Sequence, residues 1–178
     1  MRVISGKFRG KKLKSFEGQD IRPTSDRAKE SIFNIINAKI EGSSFLDLFC
    51  GTGSMGIEAL SRGAKNVVFV DVDYKSVKLT NENLKSVKQD ITVLKCSAEN
   101  YLLSCSQKFD IIFLDPPYAY DKVDSLINLI VKNNLLNKDG IIIYEHKSDR
   151  QSQNFDKLQL TDVRKYGIAV FDFYKVVD

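Results

Sequence analysis

Ser44-Phe45-Leu46-Asp47-Leu48-Phe49-Cys50-Gly51-Thr52-Gly53-Ser54-Met55-Gly56 is the stretch on which the fold turns. Ser44 to Leu48 reads as a strand and Met55 to Arg62 as a helix, with a glycine-punctuated loop between them. Gly51 and Gly53 have no Cβ, so the backbone can turn tightly there and come close to a ligand. A strand, a glycine turn and a helix in that order open a parallel, doubly wound sheet. In such sheets ligands bind in the crevice beyond the carboxyl ends of the strands.

The alternation continues downstream. Asn66 to Val70, Ile91 to Leu94, Phe109 to Leu114 and Gly140 to Glu145 read as further strands. Helices are expected at Tyr74 to Leu84, Ala98 to Leu103 and Val123 to Val131. Apolar runs joined by helices are strands buried on both faces, hence a parallel sheet. Leu158 to Lys165 and Ala169 to Val177 instead flank Tyr166-Gly167 as an antiparallel hairpin. Five parallel strands and that hairpin make seven.

Upstream, Ser25 or Asp26 can cap a helix whose apolar stripe is Ala28, Ile32, Phe33, Ile35 and Ile36. Before it, Val3-Ile4 and Lys7-Phe8 suggest a small hairpin. Arg2, Lys7, Arg9, Lys11, Lys12 and Lys14 all precede the first acidic residue, Glu17. Such a basic arm suits phosphate contact, and a solvated surface hairpin reads equally well from charge alone. The domain division expected is an arm at 1–21 and an α/β domain at 22–178.

The whole chain, 178 residues with 43% hydrophobic and 28% charged content and a net charge of +4, has the composition of a globular domain. It holds no apolar run near the ~20 residues that span a bilayer, and no apolar segment follows the basic start as in a signal peptide. Cys50, Cys96 and Cys105 lack paired metal spacing and His146 is the sole histidine, so no metal is expected. Three free thiols point to a reducing cytoplasm. Cys50 reads as a small filler.

Gly51, Gly53 and Gly56 also satisfy the G-x-G-x-x-G dinucleotide fingerprint. Asp47 entering the loop argues against a pyrophosphate and for a ligand with an ammonium group. Asp71, closing the second strand, can take ribose hydroxyls in either case, while Asp73 is better placed to cap the next helix. The deciding feature is Asp115-Pro116-Pro117-Tyr118 after the fourth strand. Two prolines stiffen the turn and remove N–H donors, leaving the Asp115 carboxylate and Pro116 carbonyl as acceptors for an exocyclic amine. Tyr118 offers a face for a base. S-adenosylmethionine is therefore the expected ligand, held by Asp47, Phe49, Gly51, Thr52, Gly53, Asp71, Val72 and Asp115, with Ser97 and Ala98 meeting the adenine edge.

Asp47-Leu48-Phe49-Cys50-Gly51-Thr52-Gly53 followed by Asp115-Pro116-Pro117-Tyr118 resembles the class I amino-methyltransferases. Arg2-Val3-Ile4-Ser5-Gly6-Lys7-Phe8-Arg9-Gly10 and Arg22-Pro23-Thr24-Ser25-Asp26-Arg27-Ala28-Lys29-Glu30 further resemble the RsmD-type 16S rRNA guanine-N2 methyltransferases. The resemblance runs from end to end. It implies a Rossmann-like class I methyltransferase fold and methylation of one guanine of 16S rRNA, on a small ribosomal subunit or its assembly intermediate. Arg2, Lys7, Arg9, Lys11, Lys12, Arg22, Thr24 and Arg27 are the expected RNA contacts. Arg22, Thr24 and Arg27 could instead close the cofactor pocket, and Arg27 with Glu30 also reads as a helix-surface pair. Ser97 departs from the acidic residue such enzymes often carry there, and Asp71 from their glutamate. A monomer without metal or membrane attachment is expected. The competing readings are a DNA adenine-N6 or cytosine-N4 methyltransferase and a non-catalytic ribosome-assembly factor that binds RNA.

Overall fold

The structure, a computed structural model, describes residues 1–16 and 25–177. Helix α1 (Asp26–Ile35) starts where Ser25 accepts a hydrogen bond from the Ala28 N–H, and a short α2 (Asn37–Ile40) follows. The sheet is then built from β1 (Ser44–Asp47), β2 (Asn66–Asp71), β3 (Val93–Lys95), β4 (Phe109–Leu114), β5 (Leu136–Lys147), β6 (Leu158–Tyr166) and β7 (Ala169–Val176). Between the strands lie α3 (Ser54–Ser61), α4 (Tyr74–Ser86), α5 (Ala98–Ser104) and α6 (Val123–Lys132). Strand order is β3-β2-β1-β4-β5-β7-β6. The first five strands are mutually parallel, while β7 runs antiparallel to both β5 and β6. The seven-stranded class I methyltransferase architecture read from the sequence is the one observed.

Each face of the sheet carries its own core. Phe45, Phe69, Ile111, Phe113, Ile143 and Phe171 pack under α1, α3, α4 and the N-terminal arm. Leu46, Val70, Ile112, Leu114 and Ile142 pack under α5 and α6 on the other face. Alternation along every strand produces this split, since successive side chains leave opposite faces.

Several local expectations need correction. Ile35 is 41% exposed rather than on the buried stripe of α1, because the stripe advances to Ile36. The arm is clasped by an Arg2–Lys12 bridge, with Val3 donating to the Lys11 carbonyl, so Lys11–Leu13 and not Lys7–Phe8 pairs with the first segment. Strand β5 is longer at both ends than Gly140 to Glu145, because β4 pairs with it at Leu136 and β7 pairs with it through Lys147. The β6–β7 turn sits at Gly167-Ile168, one residue later than expected, and Gly167 supplies its positive φ of 64°.

Candidate active site

The glycine loop leaves β1 at Asp47. Gly51 and Gly53 take φ of 52° and 75°, in the left-handed region that side chains disfavour. A Cβ on Gly51 would project into open space before the loop; one on Gly53 would strike the Thr80 methyl at 2.7 Å. Gly56 serves packing instead: a Cβ there would lie 2.2 Å from the Phe69 ring, and its N–H donates to Asp47 at 2.9 Å. The third glycine of the fingerprint thus seats α3 on β2.

Four carboxylates converge at the carboxyl edge. Asp47 faces Phe69 of β2 and Phe113 of β4 across the sheet, which places Asp71 and Asp115 two residues further along its neighbours. Leu114 pairs with Tyr144, so Asp115 and Glu145 come next to each other. Burial, opposed by the Gly56 hydrogen bond and reinforced by Asp71, pushes the Asp47 carboxyl up to about 7. Burial and then the charges of Glu145 and Asp47 push Asp115 well above the ordinary carboxylate range. Asp71 is raised too, chiefly by burial, although one oxygen accepts from Gly51 N–H at 2.9 Å and the other from Asp73 N–H at 2.9 Å. Such an edge welcomes a positively charged ligand, which relieves the crowding. Among the described residues no three His, Cys, Asp or Glu side chains form a metal-holding group.

Around this edge the other expected contacts take distinct roles. Val72 is 63% exposed at the end of β2, an apolar side chain open to a ligand. Asp73 caps α4 by accepting from Ser76 N–H, as expected. Ser97 caps α5 by accepting from Asn100 N–H at 3.2 Å, so its hydroxyl is engaged there, and Ala98 is buried below it. Phe49 meets Tyr120 edge-to-face at 5.3 Å, and the Tyr120 hydroxyl donates to Glu99. Tyr120 is therefore part of a wall beside the crevice. Pro116 is buried, Tyr118 is 52% exposed, and the Pro117 carbonyl accepts from Tyr120 N–H at 2.7 Å to close the turn. Leu48 N–H donates to the Phe113 carbonyl at 3.0 Å, which ties the root of the glycine loop to the strand that carries Asp115.

His146 stands apart. It is buried on the opposite face, with Nε2 at 3.1 Å from Asp172 and Nδ1 at 2.9 Å from the Lys147 carbonyl. Ser152 and Tyr174 also donate to Asp172. This is a packing network that anchors β7 to β5.

The arm lies along α3 and α4. Buried Glu58 accepts from Ile4 N–H at 2.8 Å and Ser5 N–H at 3.0 Å, while Lys7 N–H donates to the Ser61 carbonyl. Lys29, 0% exposed, donates to the Arg2 carbonyl at 2.7 Å and to Ser54 Oγ at 2.8 Å, with Glu58 at 3.7 Å. Asn83 holds Lys14 through its N–H and carbonyl and also donates to the Thr52 carbonyl in the glycine loop. Thr80 donates to the Gly51 carbonyl. Lys29, Glu58, Thr80 and Asn83 carry no motif that assigns them these roles. Their signal was a polar residue inside an otherwise apolar helix stripe, as where Thr80 and Asn83 interrupt Val77, Leu84 and Val87. Arg2, Lys7, Arg9, Lys11, Lys12 and Arg27 are exposed; Arg22 and Thr24 lie outside the described residues.

The family model described as Conserved hypothetical protein 95 matches residues 1–175. The chain is 40% identical over 181 residues to "Putative rRNA methyltransferase YlbH" of Bacillus subtilis, covering 98% of each chain. It is 33% identical to "Ribosomal RNA small subunit methyltransferase D" of Haemophilus influenzae, covering 98% of this chain and 93% of that one. The solved structure of "Putative methyltransferase yhhF from Escherichia coli" superposes with a TM-score of 0.88 at 29% identity, over 99% and 97% of the two chains. Glycine loop, acidic strand edge, Asp-Pro-Pro-Tyr turn and clasped arm thus occur in a chain that belongs to the Conserved hypothetical protein 95 family, the RsmD-type class I methyltransferases.

Proposed function

We propose that this protein methylates the exocyclic N2 amine of one guanine in 16S rRNA, acting on the small ribosomal subunit or an assembly intermediate in the cytoplasm. The observation that carries this reading is the adjacency of β1 and β4. It sets an acceptor-only Asp-Pro-Pro-Tyr turn beside a glycine loop at one acidic sheet edge. The names of the Bacillus and Haemophilus relatives support rRNA as the substrate class. Bound at that edge, S-adenosylmethionine supplies an electrophilic methyl group on a positively charged sulfur, an intrinsically good leaving group. Gly51, Thr52 and Gly53 would cradle it, Asp71 would take its ribose hydroxyls, and Val72 and Ala98 would meet its adenine.

The protein's own work is positioning and electrostatics. The target guanine, unpaired or flipped out, stacks on Tyr118. Asp115 and the Pro116 carbonyl accept from the N2 amine, which orients the nitrogen lone pair. An ionised Asp115 can also accept from guanine N1–H. Adenine has an acceptor at that position, so the pair favours guanine. The exposed cations Arg2, Lys7, Arg9, Lys11, Lys12 and Arg27, with Arg22 and Thr24, would hold RNA phosphate, the arm acting as one RNA-contacting unit.

The test is transfer of labelled methyl to small-subunit particles from a strain deleted for this gene, with modified guanosines then mapped by mass. One N2-methylguanosine in 16S rRNA is expected, and none in duplex DNA. Transfer to DNA alone, or cofactor binding without transfer to any particle, would overturn the assignment. Tyr118→Ala should lower kcat/KM for the particle by about 5- to 150-fold, the equivalent of the ~1–3 kcal/mol a base–aromatic stack is worth. Tyr118→Phe, which keeps the ring face, should stay near wild type. Equal losses in both variants would count against stacking.

A further inference from the structure

We infer that a basic groove between the turn of the arm and the end of α4 is a second RNA site, which holds backbone phosphates away from the target base. This rests on the rRNA reading above and extends it. The groove encloses about 450 Å³ and brings Lys7, Phe8, Arg9 and Lys11 of the arm against Lys88 and Gln89 beyond α4. Four cations line it and no carboxylate does. Arg2 and Lys14, at the ends of the arm, already have acidic partners in Asp26 and Glu82. Among the described residues Lys7, Arg9, Lys11 and Lys88 have none, so their charge is available to a polyanion.

The place of the groove is set by the arm's anchors. The ends of the arm sit at the glycine loop, where Thr52 reaches Met1 and Asn83 joins Lys14 to Thr52. Its turn sits at Ser61, where Lys7 and Phe8 donate to the last residue of α3. Eight residues of α3 separate the two ends, a distance of about 12 Å at 1.5 Å per residue. The arm thus runs from the glycine loop to the groove, a path along which an RNA backbone bound at the sheet edge can continue.

Lys88 is presented in a fixed way. Val87 is buried in the core, Gln89 N–H donates to the Leu84 carbonyl, and Lys88 takes φ of 57°. Glycine is the residue that conformation favours, yet a lysine occupies it. This makes Lys88→Gly an unusually clean probe, since it removes the charge and relieves the backbone together.

The experiment measures binding of the full-length protein to deproteinised 16S rRNA and to small-subunit particles over a salt series, together with methyl-transfer kinetics on the particles. Lys88→Gly should keep or raise Tm and leave kcat and S-adenosylmethionine affinity unchanged. Its KM for particles should rise about 3- to 10-fold, and the slope of log affinity against log salt should shrink by about 0.7–0.9, one phosphate contact. An unchanged KM and slope would overturn the site. So would a loss seen on particles but absent on deproteinised rRNA, which would instead mark the groove as a contact for an acidic protein segment. The binding series judges the groove even if the wild-type protein transfers no methyl, an outcome that would sink the proposed reaction and not the site.

Discussion

Asp115→Ala should reduce methyl transfer by about 10²- to 10³-fold while S-adenosylmethionine binding stays nearly intact. That is the usual scale for deleting one preorganised polar group aimed at a reacting centre. Asp115 follows β4 at the edge where Asp47 and Glu145 also stand, so in the proposed mechanism alanine removes the acceptor for the amine without altering the glycine loop. Single-turnover transfer and calorimetric cofactor binding would separate the two effects. Lost cofactor affinity with normal turnover would refute the role. The raised pKa of Asp115 adds a pH signature. The proposed mechanism calls for the ionised acceptor, and burial together with the negative charges of Glu145 and Asp47 favours the neutral form. Activity should accordingly rise with pH on the acid side. Glu145→Gln removes one like charge and should move that limb to lower pH, by on the order of one unit. A limb that stays put or moves up would contradict the coupling.

The second large effect concerns stability. Glu58→Ala should cost roughly 3–5 kcal/mol, the usual penalty for breaking a buried ion pair from one side. Glu58 and Lys29 are both fully buried, and Arg62 reaches the same carboxylate at 2.8 Å. Alanine would strand the Lys29 cation and leave the Ile4 and Ser5 N–H groups without their acceptor. For a domain of this size the loss corresponds to a Tm drop of very roughly 6–20 °C. Hydrogen exchange at Ile4 and Ser5 should accelerate ahead of global unfolding, because the arm is released first. The double variant Glu58→Ala/Lys29→Met should be less damaged than Glu58→Ala alone, since the fully buried Lys29 cation is then gone and only the less buried Arg62 loses its partner. A single-variant loss under about 1 kcal/mol would mean that apolar contacts from Val3 and Leu13 hold the arm instead.

Most of the sheet was legible because its signals are local. Phe109 to Leu114 coincides with β4, and Ser25 and Asp73 cap the helices they precede. Errors fell where a distant partner decides the outcome. The far ends of β5 are strand because β4 and β7 pair with them, and Ile35 is exposed because the helix turns Ile36 toward the core. The arm follows the same rule: its pairing partner, Lys11–Leu13, is selected by where Val3 and Leu13 can be buried, not by turn residues.

The chain alone determined the glycine loop, the strand–helix alternation, the stiff Asp-Pro-Pro-Tyr turn and a basic start. Each depends on neighbours within a few residues, through backbone freedom, periodic burial or missing donors. Only the tertiary structure decided that Asp47, Asp71, Asp115 and Glu145 share one edge, that Lys29 and Glu58 lock the arm to α3, and that Lys88 joins the arm's cations. Strand order and helix packing bring those residues together from as far apart as positions 47 and 145, and the burial that perturbs their charges does not exist until the sheet has assembled.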